Sequence, residues 1–172
     1  MAIFKPGFFI DSVLAISPEM LKKSNIKSIL IDIDDTLTAH GSPIIEQDIL
    51  NWIHLITSSG IKIILVSNNF KNRVQKFAKK VSLPFVYFSC KPLPIGFFWA
   101  LKKTKTKKNE AVIVGDQIFT DVLGANLFGM KSILVEPRSK SKTISLKIKR
   151  FIERPIKKHI KKTHFCGGDE LK

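Results

Sequence analysis

The chain has 172 residues, enough for one domain with a real core and too few for two comfortable ones. Hydrophobic residues make up 44%, which argues against a disordered chain. Lys and Arg number 29 against 14 Asp and Glu, a formal charge of +15, so an anionic partner is expected: a membrane surface, a nucleic acid or a phosphorylated substrate.

The opening stretch, MAIFKPGFFIDSVLAIS, is apolar but is interrupted by Lys5, Pro6 and Asp11. It has no clean apolar segment and no small-residue cleavage site, so it does not read as a signal peptide. No apolar run approaches the ~18–20 residues that span a bilayer. The two cysteines, Cys90 and Cys166, form neither a CxxC pair nor a zinc-spaced cluster. A reducing, cytoplasmic compartment is expected, with a peripheral place at the inner face of the membrane as the alternative.

Five short apolar runs follow: Ser28–Ile33, Ile61–Val66, Pro84–Phe88, Ala111–Val114 and Ser132–Val135. They are rich in Ile and Val, with few alternating polar residues, as strands buried on both faces of a parallel sheet read. Helical spacing lies between them. Glu46–Ser58 places Ile49, Leu50, Ile53 and Ile56 on one face and stops at Gly60. Asn69–Val81 carries Val74, Phe77, Ala78 and Val81 at the same period, and Leu93–Lys103 and Phe119–Phe128 complete the set. Alternation of β and α at this spacing predicts a doubly wound, mainly parallel five-stranded α/β sheet of Rossmann-like form. Ligands bind such sheets beyond the carboxyl ends of the strands.

The residues at those ends are therefore the ones to weigh. The first run ends in Asp32-Ile33-Asp34-Asp35-Thr36-Leu37. Side chains two apart on a strand project to one side, so Asp32 and Asp34 are paired. Two carboxylates this close require a cation or a shared proton, and magnesium, a hard ion that prefers oxygen, fits. Taken alone, the pattern is equally an Asp-rich turn capping the next element. The second run ends in Ser67-Asn68-Asn69, a hydroxyl and backbone N–H groups at a helix start that would cradle an anion, or an ordinary N-cap. Lys91 follows the third run, and alone it is an ordinary solvated lysine. The fourth ends in Gly115-Asp116-Gln117-Ile118-Phe119-Thr120-Asp121, which adds two carboxylates. The conjunction carries the argument: four successive strand ends each bring an Asp, Ser or Lys suited to phosphoryl transfer.

This order resembles the haloacid dehalogenase (HAD) superfamily, whose motifs are DxDx[TV], Ser or Thr, Lys and a closing acidic GD…D. Here they read DIDDT, Ser67, Lys91 and GDQIFTD. The likeness extends to subclass IIIA, the phosphatidylglycerophosphate-phosphatase-like or YqeG-type group, through KPxxxxF at Lys91, GDQxxTDVLGAN from Gly115 to Asn126, and the FKPG opening. It covers about Phe4 to Pro137. Asp35 departs from the Asn usual in the group.

The resemblance implies that Asp32 is the nucleophile and forms an aspartyl-phosphate, and that Asp34 is the acid and base. It implies Mg²⁺ on the Asp32 and Asp116 side chains and the Asp34 backbone carbonyl. Asp121 is expected in support, on a metal-bound water or on Lys91. Ser67, Asn68 and Lys91 are expected to hold the phosphoryl oxygens, and Thr36 to steady the loop through its hydroxyl. The gaps from Asp32 to Ser67 and from Ser67 to Lys91 are too short for an inserted cap domain, so a bulky substrate or a partner would cover the site.

The expected division is a phosphatase domain over 1–137 and a basic amphipathic extension over 138–172. In the extension Ile148, Phe151, Ile152, Ile156 and Ile160 recur at roughly helical spacing among lysines and arginines, with a bend expected at Pro155. Three readings compete: a helix packed on the domain, a helix docked on anionic lipid, and contact with RNA or the ribosome. His164, Cys166 and Asp169 are read as a frayed end rather than a metal site. The leading function is a phosphomonoesterase, with phosphatidylglycerophosphate as the lipid substrate the resemblance suggests. The alternatives are a phosphatase for a soluble sugar phosphate, nucleotide or phosphoprotein, and a basic RNA-binding protein with a relic site.

Overall fold

The computed structural model describes residues 2–139 and 144–163. His164, Cys166 and Asp169 lie outside the described residues. Six parallel strands form one sheet in the order β1-β6-β5-β2-β3-β4. They are β1 (Phe8–Ile10), β2 (Ser28–Ile31), β3 (Lys62–Val66), β4 (Phe85–Val86), β5 (Ala111–Gly115) and β6 (Lys131–Val135). The helices are α1 (Pro18–Lys23), α2 (Gln47–Ser58), α3 (Lys71–Val81), α4 (Ile95–Thr104), α5 (Leu123–Phe128) and α6 (Ile144–Lys158).

The expected five strands become six. Phe8–Ile10 pairs in parallel with β6, Phe8 opposite Ile133 and Ile10 opposite Val135. Three residues are too few to show a period, and their partner lies at the far end of the chain, so the edge strand leaves no local signal.

Alternate strand residues build two cores. Ile29, Ile31, Ile63, Leu65, Val112 and Val114 pack with Ile49, Ile53 and Ile56 of α2 and with Val74 and Phe77 of α3. Leu30, Ile64, Val66 and Ile113 face the other way, onto Phe97, Ala100 and Leu101 of α4 and Ala125 of α5. Helices on both faces keep the parallel sheet dry, which is why its strands read as unbroken apolar runs.

The caps follow the sequence. Ser17 accepts from the Met20 N–H at the start of α1, with Pro18 in the first turn. Gly129 ends α5 at φ 72, where a Cβ would be strained.

The chain leaves β2 toward β3 and β4 on one side, then returns to β5 and β6 on the other. The crevice of such a sheet opens at this reversal, at the carboxyl end of β2. Helix α6 crosses back to this edge. Ile156 and Ile160 pack on the cluster of Phe9, Ile118, Val122 and Leu134. Glu153 is buried and its carboxylate accepts from the Phe119 N–H at 3.0 Å. The Lys157 ammonium sits 4.7 Å from the Phe9 ring centroid. Part of the basic stripe thus packs on the sheet, while Ile148, Phe151 and Ile152 remain exposed. Among the described residues no helix is long and apolar enough to cross a membrane.

Candidate active site

Asp32 follows β2 directly, and its N–H donates to the Val114 carbonyl at 2.9 Å, which extends the β2–β5 ladder by one step. The Lys91 ammonium reaches it from beyond β4, 2.6 Å from Asp32 Oδ1 and 2.7 Å from Asp121 Oδ1. The Lys91 side chain is only 2% exposed. A buried ammonium between two carboxylates compensates charge that neither side could carry alone in a desolvated crevice. Burial would push Lys91 down, but Asp121 and Asp32 outweigh it and hold the ammonium well above its ordinary value. Burial, reinforced by the Asp121 and Asp34 charges, pushes the Asp32 carboxyl up to about 7 against the opposing pull of Lys91.

The loop that delivers Lys91 is held by Asn68. Its amide oxygen accepts from the Lys91 N–H and from the Ser89 hydroxyl, each at 2.8 Å, and its NH2 donates to the Lys91 carbonyl at 3.0 Å. Phe88 and Cys90 lie at φ 46 and 55, a left-handed backbone unusual for such residues. Asn68, expected on the phosphoryl group, thus commits its side chain to the loop. Ser67 is buried at the end of β3, where its hydroxyl accepts from the Asn69 N–H at 3.2 Å.

Asp34 faces a different set. Arg73 and Gly41 N–H donate to Oδ1, and the Asn69 amide donates to Oδ2 at 2.6 Å. Arg73 and Asn69 are partners the sequence reading did not single out. Asn69 sits beside Ser67-Asn68, and Arg73 lies one turn into α3, so their place at the start of that helix was the available signal.

Beyond β5, Asp116 is 4% exposed and Asp121 1%. Asp121 lies in a π-helical turn, Ile118–Val122, an irregular form frequent at functional sites. Gly115 makes room for it: a Cβ there would stand 2.3 Å from Asp121 Cγ. Burial first, then the charges of Asp32, Asp121 and Asp35, push the Asp116 carboxyl well above its ordinary range. Arg150 of α6 opposes this, with Nη2 at 3.4 Å from Asp116 Oδ2 and 2.7 Å from Asp35 Oδ2. The basic segment held no local cue that one of its arginines enters the crevice. The buried Thr36 hydroxyl, expected to steady the loop, has no hydrogen-bond partner among the described residues.

Residues 89–149 match the HAD-hydrolase-like family. Over 167 residues the chain is 36% identical to the probable phosphatase YqeG of Bacillus subtilis (strain 168), covering 97% of each. The chain belongs to the YqeG-type HAD phosphatases.

Solved structures share the fold of this YqeG-type chain. A 4-nitrophenylphosphatase from Thermotoga maritima superposes with a TM-score of 0.57 at 11% identity, covering 69% of this chain and 89% of the other. The cobalt-bound deoxy-D-mannose-octulosonate 8-phosphate phosphatase from Haemophilus influenzae gives 0.51 at 13% identity, covering 77% and 90%.

The donor set of the YqeG-type crevice suits a hard cation. Among the described residues no three His, Cys, Asp or Glu side chains converge as an all-side-chain cage. Magnesium needs none: one or two carboxylates, with other oxygens and water, are its usual holding. The Asp32 charge bears on Asp116, and Asp116 Oδ1 is buried without a hydrogen-bond partner among the described residues. An orphaned carboxylate oxygen in a crowd of like charge is a position that a cation would satisfy.

Proposed function

We propose that this phosphatase hydrolyses a phosphomonoester through an aspartyl-phosphate on Asp32, with magnesium held by the Asp32 and Asp116 carboxylates and the Asp34 backbone carbonyl. The observation that carries the reading is the buried Asp32–Lys91–Asp121 arrangement beside the orphaned Asp116 Oδ1. When bound, the metal would supply positive charge to the phosphoryl oxygens and relieve the crowding of carboxylates.

Lys91 holds Asp32 by Oδ1 and leaves the other oxygen to attack phosphorus as the bond to the leaving oxygen breaks. Asp121 keeps the ammonium in place, and Lys91 and Ser67 meet the phosphoryl oxygens. Asp34 gives its proton to the leaving oxygen and takes one from the water that then hydrolyses the acyl phosphate, regenerating Asp32. For this Asp34 turns from Arg73, Asn69 and Gly41 toward the leaving group.

A phospholipid substrate, phosphatidylglycerophosphate, is the reading favoured within this class. Its support is the rim of the crevice. Ile44, Phe70, Phe88, Leu93 and Phe151 are 71%, 77%, 60%, 60% and 70% exposed. The first four lie in the connections that follow β2, β3 and β4, on the carboxyl side of the sheet, and Phe151 of α6 lines the cavity at Asp116. Exposed apolar groups on a chain with a formal charge of +15 suit a membrane-borne anion.

The test is phosphate release by the purified chain from phosphatidylglycerophosphate in mixed micelles and from 4-nitrophenyl phosphate, with Mg²⁺ or with EDTA. Mg²⁺-dependent release, lost in Asp32→Asn while the variant stays folded, is expected. Near-full activity of Asp32→Asn, or full turnover in EDTA, would refute the mechanism. Release from the small ester and none from the lipid would refute the substrate.

A further inference from the structure

We propose that Arg150 is a positioning residue for Asp116, and that through it α6 supplies, from the C-terminal segment, the cover that the short connections around Ser67 leave out. This rests on the phosphatase reading above.

Arg150 is not placed like a surface arginine. Nη2 donates to Asp35 Oδ2 at 2.7 Å and approaches Asp116 Oδ2 at 3.4 Å, and Nη1 donates to the Ser139 carbonyl at 2.8 Å. Both carboxylates are shut off from water, with side-chain exposures of 1% for Asp35 and 0% for Asp116. The other oxygen of Asp35, Oδ1, already accepts from the His40 N–H and the Ser139 hydroxyl. The Asp35 backbone is held on both sides: its N–H donates to the Thr38 carbonyl at 2.7 Å and its carbonyl accepts from the Arg138 N–H at 2.9 Å. It is thus a fixed anchor for the guanidinium. The charge of Asp35 has its partner in that contact.

The consequence falls on Asp116. One oxygen meets a cation tied down at Asp35 and Ser139, and the other, Oδ1, has no hydrogen-bond partner among the described residues. The rotation of the carboxylate is therefore set from outside the sheet, by a helix 34 residues further along the chain. Partners that orient a ligating carboxylate in this way govern how well it binds its ion. Three buried side-chain polar atoms lack a partner among the described residues: Thr36 Oγ1, Asp116 Oδ1 and Arg150 Nε. All belong to this crevice, and Arg150 shares in that incompleteness. A cavity of about 970 Å³ opens at Asp116, with Glu136–Ser139 on one side and Lys147, Phe151 and Arg154 of α6 on the other. The helix therefore walls the site.

The test uses the full chain and the variants Arg150→Met, Arg150→Lys and Asp35→Asn. Two quantities are read against Mg²⁺ concentration: the rise in Tm and the rate of 4-nitrophenyl phosphate hydrolysis. In Arg150→Met the Mg²⁺ needed for half the Tm rise, and for half-maximal rate, should increase about 10–100-fold. Arg150→Lys should fall between it and the parent. Asp35→Asn should move the same way, and combining it with Arg150→Met should add little. A lower Tm with an unchanged Mg²⁺ requirement would show that α6 only packs, and would overturn the proposal. Should Arg150→Met not fold, an unchanged requirement in both other variants overturns it equally. A parent that is stabilised by Mg²⁺ yet releases no phosphate from any ester refutes the phosphatase reading, while the Tm titration still decides Arg150. A parent indifferent to Mg²⁺ in both measurements refutes both.

Discussion

Replacing Lys91 with Met should be the most costly single change in the crevice. The ammonium is 2% exposed and lies within 2.7 Å of both Asp32 Oδ1 and Asp121 Oδ1. Methionine fills similar space but leaves two buried carboxylates facing each other. Removing one member of a buried ion pair costs about 3–5 kcal/mol, because the remaining charge is stranded. For a domain of this size each kcal/mol moves Tm by about 2–4 °C, so a fall of about 6–20 °C is expected near neutral pH. The loss should also depend on pH. Lys91 is the main influence lowering the Asp32 carboxyl, which titrates at about 7 even with the ammonium present, and without it the carboxyl rises further. A carboxyl whose folded value exceeds its unfolded one binds a proton in the fold that the unfolded chain has released. Stability of the variant then increases as pH falls from about 7 toward 4. Thermal unfolding followed by circular dichroism at about pH 5 and 7, in EDTA, reads both effects. A loss under about 1 kcal/mol that is the same at both pH values would refute the buried charge argument.

The parent chain should show the same linkage more weakly. With the Asp32 carboxyl raised to about 7 and Asp116 raised well above its ordinary value, stability in EDTA should fall as pH rises through the window from about 4 to 7. Urea unfolding across that window would contradict this if stability stayed flat or rose. Gly115→Ala places a Cβ 2.3 Å from Asp121 Cγ and should push that carboxylate off Lys91. A stability loss of about 1–3 kcal/mol is expected, with a marked loss of phosphate release. Parent-like values for both would show that Asp121 can move without consequence.

Much of this was legible in the chain itself. Buried parallel strands announce themselves as Ile- and Val-rich runs, so β2, β3, β5 and β6 fall close to their expected positions. Asp32, Ser67, Lys91 and Asp116 could be singled out because each follows a strand, and the carboxyl edge of such a sheet is where chemistry gathers. The tertiary structure decided the rest. Strand β4 shrinks to Phe85–Val86, and the backbone beyond it turns through Phe88 and Cys90 at positive φ to deliver Lys91. Strand β1 exists only because β6 offers it an edge. Arg150 and Asp35 lie 115 residues apart, and nothing in either neighbourhood marks the pair. A strand or a cap is written in the residues beside it, since its period and its hydrogen bonds are local. An ion pair between a sheet end and a distant helix is not, because it depends on which face α6 lays down and how far one side chain then reaches.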